Sequence, residues 1–554
     1  MNLIRRTGAW LACLILLPAF AFAQQGTVSG TVTDALTGDP LPGANVILTE
    51  PGGTTSSLGA ATDFDGNYTV ANVPAGSYDL IARFIGYNES RQPVTVTAGQ
   101  TVTINVALDE QGVGLNTVVV TASRQQEKVL DAPAAISVLS ARDVEEQGTT
   151  SAAGVLRNVT GLDASQTGAD RVEIALRGFN NAFSGAAFTL VDYRQASIAS
   201  LGVNSYNAMP ISNIDIDRVE VVRGPGSALY GAGVDSGVIH FITKGPFSSP
   251  GTTVSVYGGQ RSMAGVNFRH AGVVNENLGY KVTGTFAQVD DWELDPSDPE
   301  DAVQLNADAV PRDYAADKFN LGGQLEFRPD PATSIVLNGG YSQSTNIYLS
   351  GIGTLQGDEF GYSYGQVRLQ SGGLFAQAFL NMNNAGNSFV YGTGEAVVDN
   401  STLFNAQAQY DMELFEGRNR LIFGADFERT APDTEGTIYG RNEEDDTILE
   451  TGAYVQSATN LTDQLDLTVA GRVDYNNVVD AIQLSPRVAL VYKVTDAHSL
   501  RGTYNRAFSS PGTNSLFLDI VAQQIPVDPS QGLFINVRGR GPGDGFTYSR
   551  NEAF

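Results

Sequence analysis

From about Pro246 to the last residue the chain alternates with period two, and the two parities differ in kind. In "QLDLTVAGRVDYNN", Leu465, Leu467, Val469, Gly471, Val473 and Tyr475 fall on one face, with Asp466, Thr468, Ala470, Arg472 and Asp474 on the other. "FNLGGQLEFR" sets Phe319, Leu321, Leu325 and Phe327 against Asn320, Gln324, Glu326 and Arg328 in the same way. Successive side chains of a strand point to opposite faces, so such segments make one apolar and one charged surface. Roughly fourteen segments of ~9 to 11 residues recur, the sequence form of an antiparallel transmembrane β-barrel with lipid outside and a wet lumen. A large soluble sandwich or propeller would bury the apolar parity equally well. Against it stand the charges repeated on the second face and the aromatic residues near segment ends, such as Tyr475, Tyr492 and Tyr504, where an interfacial girdle needs them. "DDWELDPSDPEDAVQLNADAVPRD" and "GRNEEDDTILE" read as exterior loops.

The start of the chain agrees with a membrane destination. "MNLIRRTGAWLACLILLPAFAFAQQ" has basic Arg5 and Arg6, an apolar stretch from Ala9 to Phe22, and Ala21-Phe22-Ala23 before Gln24. That is a signal peptide, residues 1–23, with cleavage expected after Ala23. The arginine pair lacks the flanks of a twin-arginine signal. No other run approaches the ~20 apolar residues of a membrane helix. Cys13 is the only cysteine and leaves with the signal, so the mature chain has no disulfide. Loss of Arg5 and Arg6 reduces 33 basic residues to 31 against 60 acidic ones, a net charge of −29. Nucleic acid is excluded as a partner for such a surface. The surplus fits solvated exterior loops, or else a mouth that attracts cations.

Residues 24–110 alternate as well, with Val28 and Val32 on one parity and Leu80, Ala82 and Phe84 on another, between turn clusters such as Thr37-Gly38-Asp39-Pro40. Short strands at this spacing predict a small β-sandwich. In "TDFDGNYTV" Asp63, Asp65 and Asn67 alternate as in a calcium loop, but glycine comes fourth rather than sixth, so an Asp-Gly hairpin turn is expected. "GTVSGTVTDALTGDPLPGANVIL" with "TDFDGNYTVANVPAGSYDL" resembles the carboxypeptidase regulatory-like domain, which accompanies a zinc peptidase without containing its active site. His240, His270 and His498 are the only histidines and none lies in a zinc-peptidase motif.

Residues 111–245 form a mixed α+β module. Ser140 can cap "ARDVEEQ" with Asp143 three residues on, and Gly148 stops it. A second short helix is expected near Ala152 to Asn158, and strands at "RVEIALRGF", "FTLVDY", "IDRVEVVRG" and "GVIHFITK". Gly226 and Gly231 have the spacing of a phosphate loop. However, Ala232 stands where that loop needs lysine, and the strand "GVIHF" is expected to follow with no helix between. The glycines then serve a tight turn and close backbone approach.

"IDIDRVEVVRGPGSALYGAGVDSGVIHFITKGP", Ile214 to Pro246, resembles the plug of a TonB-dependent outer-membrane receptor, with support from "RVEIALRGF" and "HSLRGTYNRAFSSPGTNSLF". The resemblance implies a mainly β protein: periplasmic sandwich, α+β plug, and a barrel over 246–554 holding the plug in its lumen. It implies plug-motif residues Arg177, Gly178, Glu220, Arg223, Gly224, Pro225, Gly226, Tyr230 and Gly231. "NTVVVTASR" resembles the TonB-contacting segment, with Thr117, Val118, Val119, Val120 and Thr121 captured as an added strand; an ordinary first plug strand is the alternative. Arg177, Glu220 and Arg223 are expected to take partners from the barrel wall and seat the plug, unless they are surface charges of a small module. His240 stands where the family usually has asparagine, and Tyr193 where glycine normally follows the aspartate. The 309 residues from 246 to 554 fall short of the roughly 480 that 22 strands at about 22 residues each would need, so an N-terminal fragment with a partial barrel of about 14 strands is expected. Phe554 imitates the aromatic end of a complete barrel, but "YSRNEAF" lacks a long strand before it. The implied function is import of a scarce ligand with work delivered through a TonB-type periplasmic partner, without a cofactor and without enzyme chemistry. A ferric siderophore leads, with oligosaccharide or peptide next and cobalamin also open; a surface adhesin is the competing reading.

Overall fold

The computed structural model describes residues 25–35, 38–51, 58–84, 87–109, 118–119, 127–178, 180, 187–350, 353–444, 446–478, 481–495, 498–524 and 534–539. The chain divides into two compact units, Met1–Gly114 and Leu115–Phe554.

The first unit is a sandwich of two sheets. In one, Gly26–Asp34 pairs antiparallel with Asn67–Val73 and parallel with Thr101–Thr103 and Val106–Leu108. The other runs Leu58–Ala61, Asn45–Thr49, Gly76–Arg83, Ser90–Val96, antiparallel throughout. Alternate residues of both, among them Val28, Val32, Val70, Leu48, Leu80 and Val94, form one core. The aspartate repeat is a hairpin turn: the Asp63 carboxylate accepts the backbone N–H of Asp65 (3.0 Å) and Asn67 (2.8 Å), and Gly66 sits at φ 75°. The bond from the Asn67 backbone holds the Asp63 carboxyl below its ordinary range.

The second unit is a wall built around an inner module. The wall is a 14-stranded sheet in which neighbours in sequence pair antiparallel from Gly251–Gly258 to His498–Asn505, with the two-residue strand Phe389–Val390 off that path. Its long connections, 290–315, 384–402 and 431–448, all fall at one end, and only short turns such as 275–278 and 371–374 at the other. The wall is inside out relative to a soluble protein. On Leu465–Asn476, Val469 is 46 % exposed and Arg472 only 4 %; Phe319, Leu321 and Leu325 face outward while Asn320, Gln324 and Glu326 are buried. Polar side chains inward and a continuous apolar surface outward suit hydrocarbon and would fail in water. This decides between the barrel and the soluble sandwich.

Inside lies a five-stranded mixed sheet in the order Ala135–Ser140, Ile216–Arg223, Gly237–Thr243, Phe188–Val191, Arg194–Gln195. Only Phe188–Val191 and Gly237–Thr243 are parallel. One of its faces buries Val219, Val221, Ile239 and Phe241 with Val155 and Leu156; the other buries Val222 and Val238 with Val119 and Leu190. Both faces are therefore covered, which is why these strands read as nearly continuous apolar runs. Ser140 caps the helix Ala141–Glu146 in a reciprocal box with Asp143. The second helix expected near Ala152 is a single 3-10 turn, Gly154–Leu156, within a buried stretch that runs from Ser151 to Leu156.

Candidate functional site

The plug-motif residues come together at one end of Ile216–Arg223. The helix-free passage expected after Gly226 is wrong in detail: Ser227–Tyr230 makes one helical turn, opened by Gly226 without a side-chain cap and ended by Gly231 at φ 87°. Gly226 N–H closes the loop on Val234 O at 2.8 Å. Each glycine makes room for something different. A Cβ on Gly224 would lie 3.0 Å from Arg177 Nη1, one on Gly226 2.8 Å from Val234, and one on Gly231 2.9 Å from Nη2 of Arg472 in the barrel wall. Tyr230 packs at 6.0 Å on Phe188, Pro225 is half-buried, and Gly178 is exposed.

Two of the motif's three charges take partners within the plug. Glu220, fully buried, accepts from Arg218 Nε at 2.9 Å, because residues two apart on a strand share a face. Arg223 donates to Ser137 Oγ (2.8 Å) and Thr160 O (2.7 Å). Arg177 is exposed, with left-handed backbone at φ 50°.

Residues outside the motif anchor the plug to the wall instead. Asp215 receives Arg269 Nε and Lys281 Nζ, each at 2.8 Å, and all three are buried. Arg194 donates to Tyr362 Oη (2.6 Å) and Asn381 Oδ1 (3.0 Å) and lies 3.7 Å from the Tyr364 ring centre. Arg472 takes both oxygens of Asp426 (2.7 and 2.6 Å) and Oδ1 of Asp474 (2.7 Å), and in that pose abuts Gly231. The available signal was a charge on the lumen parity of a barrel strand, as with Arg472; nothing local marks Asp215 as its counterpart.

The two departures from the family pattern meet each other. The Tyr193 backbone N–H donates to His240 Nε2 at 3.1 Å and the rings stack edge-on at 4.8 Å. Asp192 and Tyr193 occupy left-handed backbone, at φ 48° and 71°, where glycine would be unstrained. The turn also reaches the wall: Asp192 O accepts from Gln366 Nε2 (3.0 Å) and Arg368 Nη1 (2.9 Å), and Tyr193 O from Gln377 Nε2 (2.8 Å). Burial pushes the His240 imidazole down to about 4, although Glu220 and Asp192 pull the other way.

At the long-loop end the plug tip is held from three directions. Ser200 bonds Asp399, Tyr439 and Thr513, and Leu201 O accepts from Asn514 Nδ2 at 3.4 Å. At the short-turn end the chain entering the plug is pinned to the last strands. Leu130 O accepts from Ser499 Oγ (3.0 Å) and Ala132 O from Arg501 Nη1 (2.9 Å), and Asp131 pairs with Lys493 at 3.6 Å. Of the segment expected to contact TonB, Thr117, Val120 and Thr121 lie outside the described residues. Val118–Val119 pairs antiparallel with Glu127–Lys128, and Val119 is fully buried against the plug.

Between plug and wall runs a cavity of about 1010 Å³. The plug contributes Asp192, Tyr193 and Tyr230–Gly233; the wall contributes mainly carboxamides and acids on six consecutive long strands, from Gln370 and Gln377 to Asp474.

A β-sheet wall that is apolar outside and polar inside, curved around an α+β module tied to it by buried ion pairs, has the architecture of a plugged membrane barrel. The comparisons narrow the class. The chain matches the TonB dependent receptor-like beta-barrel over residues 245–552, the TonB-dependent receptor plug domain over 128–238 and the carboxypeptidase regulatory-like domain over 27–109. It belongs to the TonB-dependent receptor family. It is 28 % identical over 414 residues to the vitamin B12 transporter BtuB of Vibrio vulnificus, covering 72 % of this chain and 64 % of that protein. It is 28 % identical over 263 residues to the ferric enterobactin receptor of Pseudomonas aeruginosa, covering 42 % and 34 %. The chain thus spans less than two thirds of the length of either. Among solved structures, a ferric enterobactin receptor from Pseudomonas aeruginosa superposes with a TM-score of 0.56 at 18 % identity, covering 73 % of this chain and 66 % of that one. The alcaligin receptor FauA from Bordetella pertussis does so with 0.53 at 15 %, covering 76 % and 68 %.

Proposed function

We propose that the chain is an importer of the outer membrane that binds a scarce ligand in the lumen at the long-loop side and releases it inward when a TonB-type partner pulls on residues 117–121. Residues 1–23 are then a removed signal peptide, 24–110 a periplasmic sandwich, 111–245 the handle and plug, and 246–554 barrel. The observation that carries this reading is the pinning of residues 130–134 to the wall at the short-turn end, beside the point where a periplasmic partner would take hold. Force on the handle reaches those bonds before it reaches the plug sheet. Capture as an added strand would also compete with the Glu127–Lys128 pairing of Val118–Val119.

For the cargo, a ferric siderophore comes first, in line with relatives named for ferric enterobactin and ferrioxamine B, and an oligosaccharide or peptide next. Deletion of Thr117–Thr121 tests the mechanism. Energised uptake should vanish while ligand binding to the purified protein stays within about twofold of the parent. Uptake that survives the deletion removes the handle assignment. Induction of the protein by iron limitation, compared with carbon limitation, tests the siderophore.

A further inference from the structure

We infer that a passage runs the length of the lumen beside the plug, and that the ring of Tyr193 is the gate that closes it near the short-turn end. This rests on the importer reading and names the step at which release is controlled. Every second residue of Thr402–Leu414, from Leu403 through Asn405, Gln407 and Gln409 to Asp411, lines the cavity in an unbroken row. Eight steps at ~3.4 Å each make roughly 27 Å, comparable with the ~25 Å apolar band of such barrels. Gly372 and Gly373 on the short turn 371–374 line one end of the cavity, and Ser510–Thr513 beside the plug tip line the other. The space between plug and wall is thus a seam along the barrel and not a cup at its mouth.

Tyr193 stands in that seam near its inner end. Phe375 lies next to the short turn and is the cross-strand partner of Gln409, so it is level with the last steps of the row. The Tyr193 ring centre is 5.4 Å from that of Phe375, 4.8 Å from that of His240 and 5.1 Å from the Arg368 guanidinium, and Tyr193, Phe375 and Arg368 all line the cavity. Two features set this ring apart. Its backbone is left-handed at φ 71°, a conformation that glycine adopts freely and tyrosine does not, so the ring is kept there against local preference. On the wall, Phe375 breaks the polar lumen parity of Leu374–Asn384, in which Gln377, Asn381 and Asn383 are buried; Phe379, the other exception, packs on Ala199. Two rings therefore meet across a polar seam. The gate is also joined to the handle. Leu190, three residues before Tyr193, shares a buried apolar cluster with Val119 and Val238. Withdrawal of Val119 uncovers the strand Phe188–Val191, from which the turn carrying the ring projects.

Current through the full chain in planar lipid bilayers tests the gate, with potassium chloride as the permeant probe. Tyr193→Gly removes the ring and relieves the backbone, and should conduct at least tenfold more than the parent. Tyr193→Phe keeps the ring and should stay within about twofold of the parent. Cys13 is the only cysteine and leaves with the signal peptide, so Gln407→Cys places a single thiol midway along the row. In the Tyr193→Gly background, modification of that thiol by a methanethiosulfonate should cut the current by at least half. A current that modification leaves untouched flows by another route, as it would after loss of the plug, and overturns the passage. Equal conductance of the parent and Tyr193→Gly, or Tyr193→Phe conducting like Tyr193→Gly, would overturn the gate. The assay needs neither TonB nor an energised membrane. Its failure leaves the importer reading standing, and failure of the handle deletion leaves the gate standing.

Discussion

Gly231 and Arg472 meet where the plug touches the wall, and a single methyl group tests that contact. At φ 87° a side chain is strained, and its Cβ would lie 2.9 Å from Arg472 Nη2, a guanidinium already fixed by Asp426 and Asp474. Gly231→Ala should therefore loosen the plug by about 1–3 kcal/mol, seen as faster hydrogen exchange in Ile216–Arg223 with the barrel strands unchanged. Equal exchange in both proteins would mean that the glycine is there for the turn alone. His240 offers a second test, through pH. Its ordinary value of 6.5 falls to about 4 in the folded plug, so between those values the unfolded chain binds the proton first. Stability from the neutral imidazole is complete above about 6.5 and is lost as pH falls toward about 4, on the order of 3 kcal/mol in all. The groups that set this balance are Glu220, Asp192, Arg218 and Arg368. His240→Asn should flatten the plug's protection factors, the ratio of intrinsic to observed exchange rate, between pH 7 and 4.5. A double cycle with Tyr193→Gly should show coupling of about 0.5–3 kcal/mol, since the two rings meet edge-on at 4.8 Å.

At the scale of elements, the sequence told strands apart well and partners poorly. The wall strands were legible because lipid and lumen impose opposite chemistry on the two parities, so Leu325 and Gln324 betray their faces without knowledge of the neighbouring strand. The capped helix at Ser140 was legible for a similar reason: its box closes within four residues. The seating of the plug was not. Asp215 finds Arg269 and Lys281 on wall strands 54 and 66 residues away, a pairing fixed only after the barrel has curved around the plug. Glu220 shows the converse, a conspicuous charge with a partner only two residues away on its own strand. The anchor matters most because it is buried. Asp215→Asn leaves two cations facing an amide, and breaking such a group costs about 3–5 kcal/mol. The plug should then leave its seat more often, read as increased uptake of a large antibiotic normally excluded by the outer membrane. Unchanged exclusion would show that Arg194 and the Asp192–Tyr193 turn hold the plug without it.

For the whole molecule, the claim that outward side chains meet hydrocarbon and not water can be separated from the shape of the sheet. Val469 lies mid-strand on the outer face and is 46 % exposed, whereas Gln407 lies on the lumen face opposite Asp426. If the protein stood in water, lysine at a half-exposed valine would change stability by no more than about 0.5 kcal/mol, as surface substitutions generally do. In a bilayer the same lysine costs about 2–4 kcal/mol near the midplane. Lysine at Gln407 enters a wet cavity beside a carboxylate and should be close to neutral in either setting. Folding of the two variants into lipid vesicles, followed by urea titration, should therefore displace the midpoint for Val469→Lys and leave it in place for Gln407→Lys. Equal midpoints would contradict the apolar band as a lipid-facing surface and return the wall to the class of soluble sheets, where its exposed Phe319, Leu321 and Leu325 would need a protein partner.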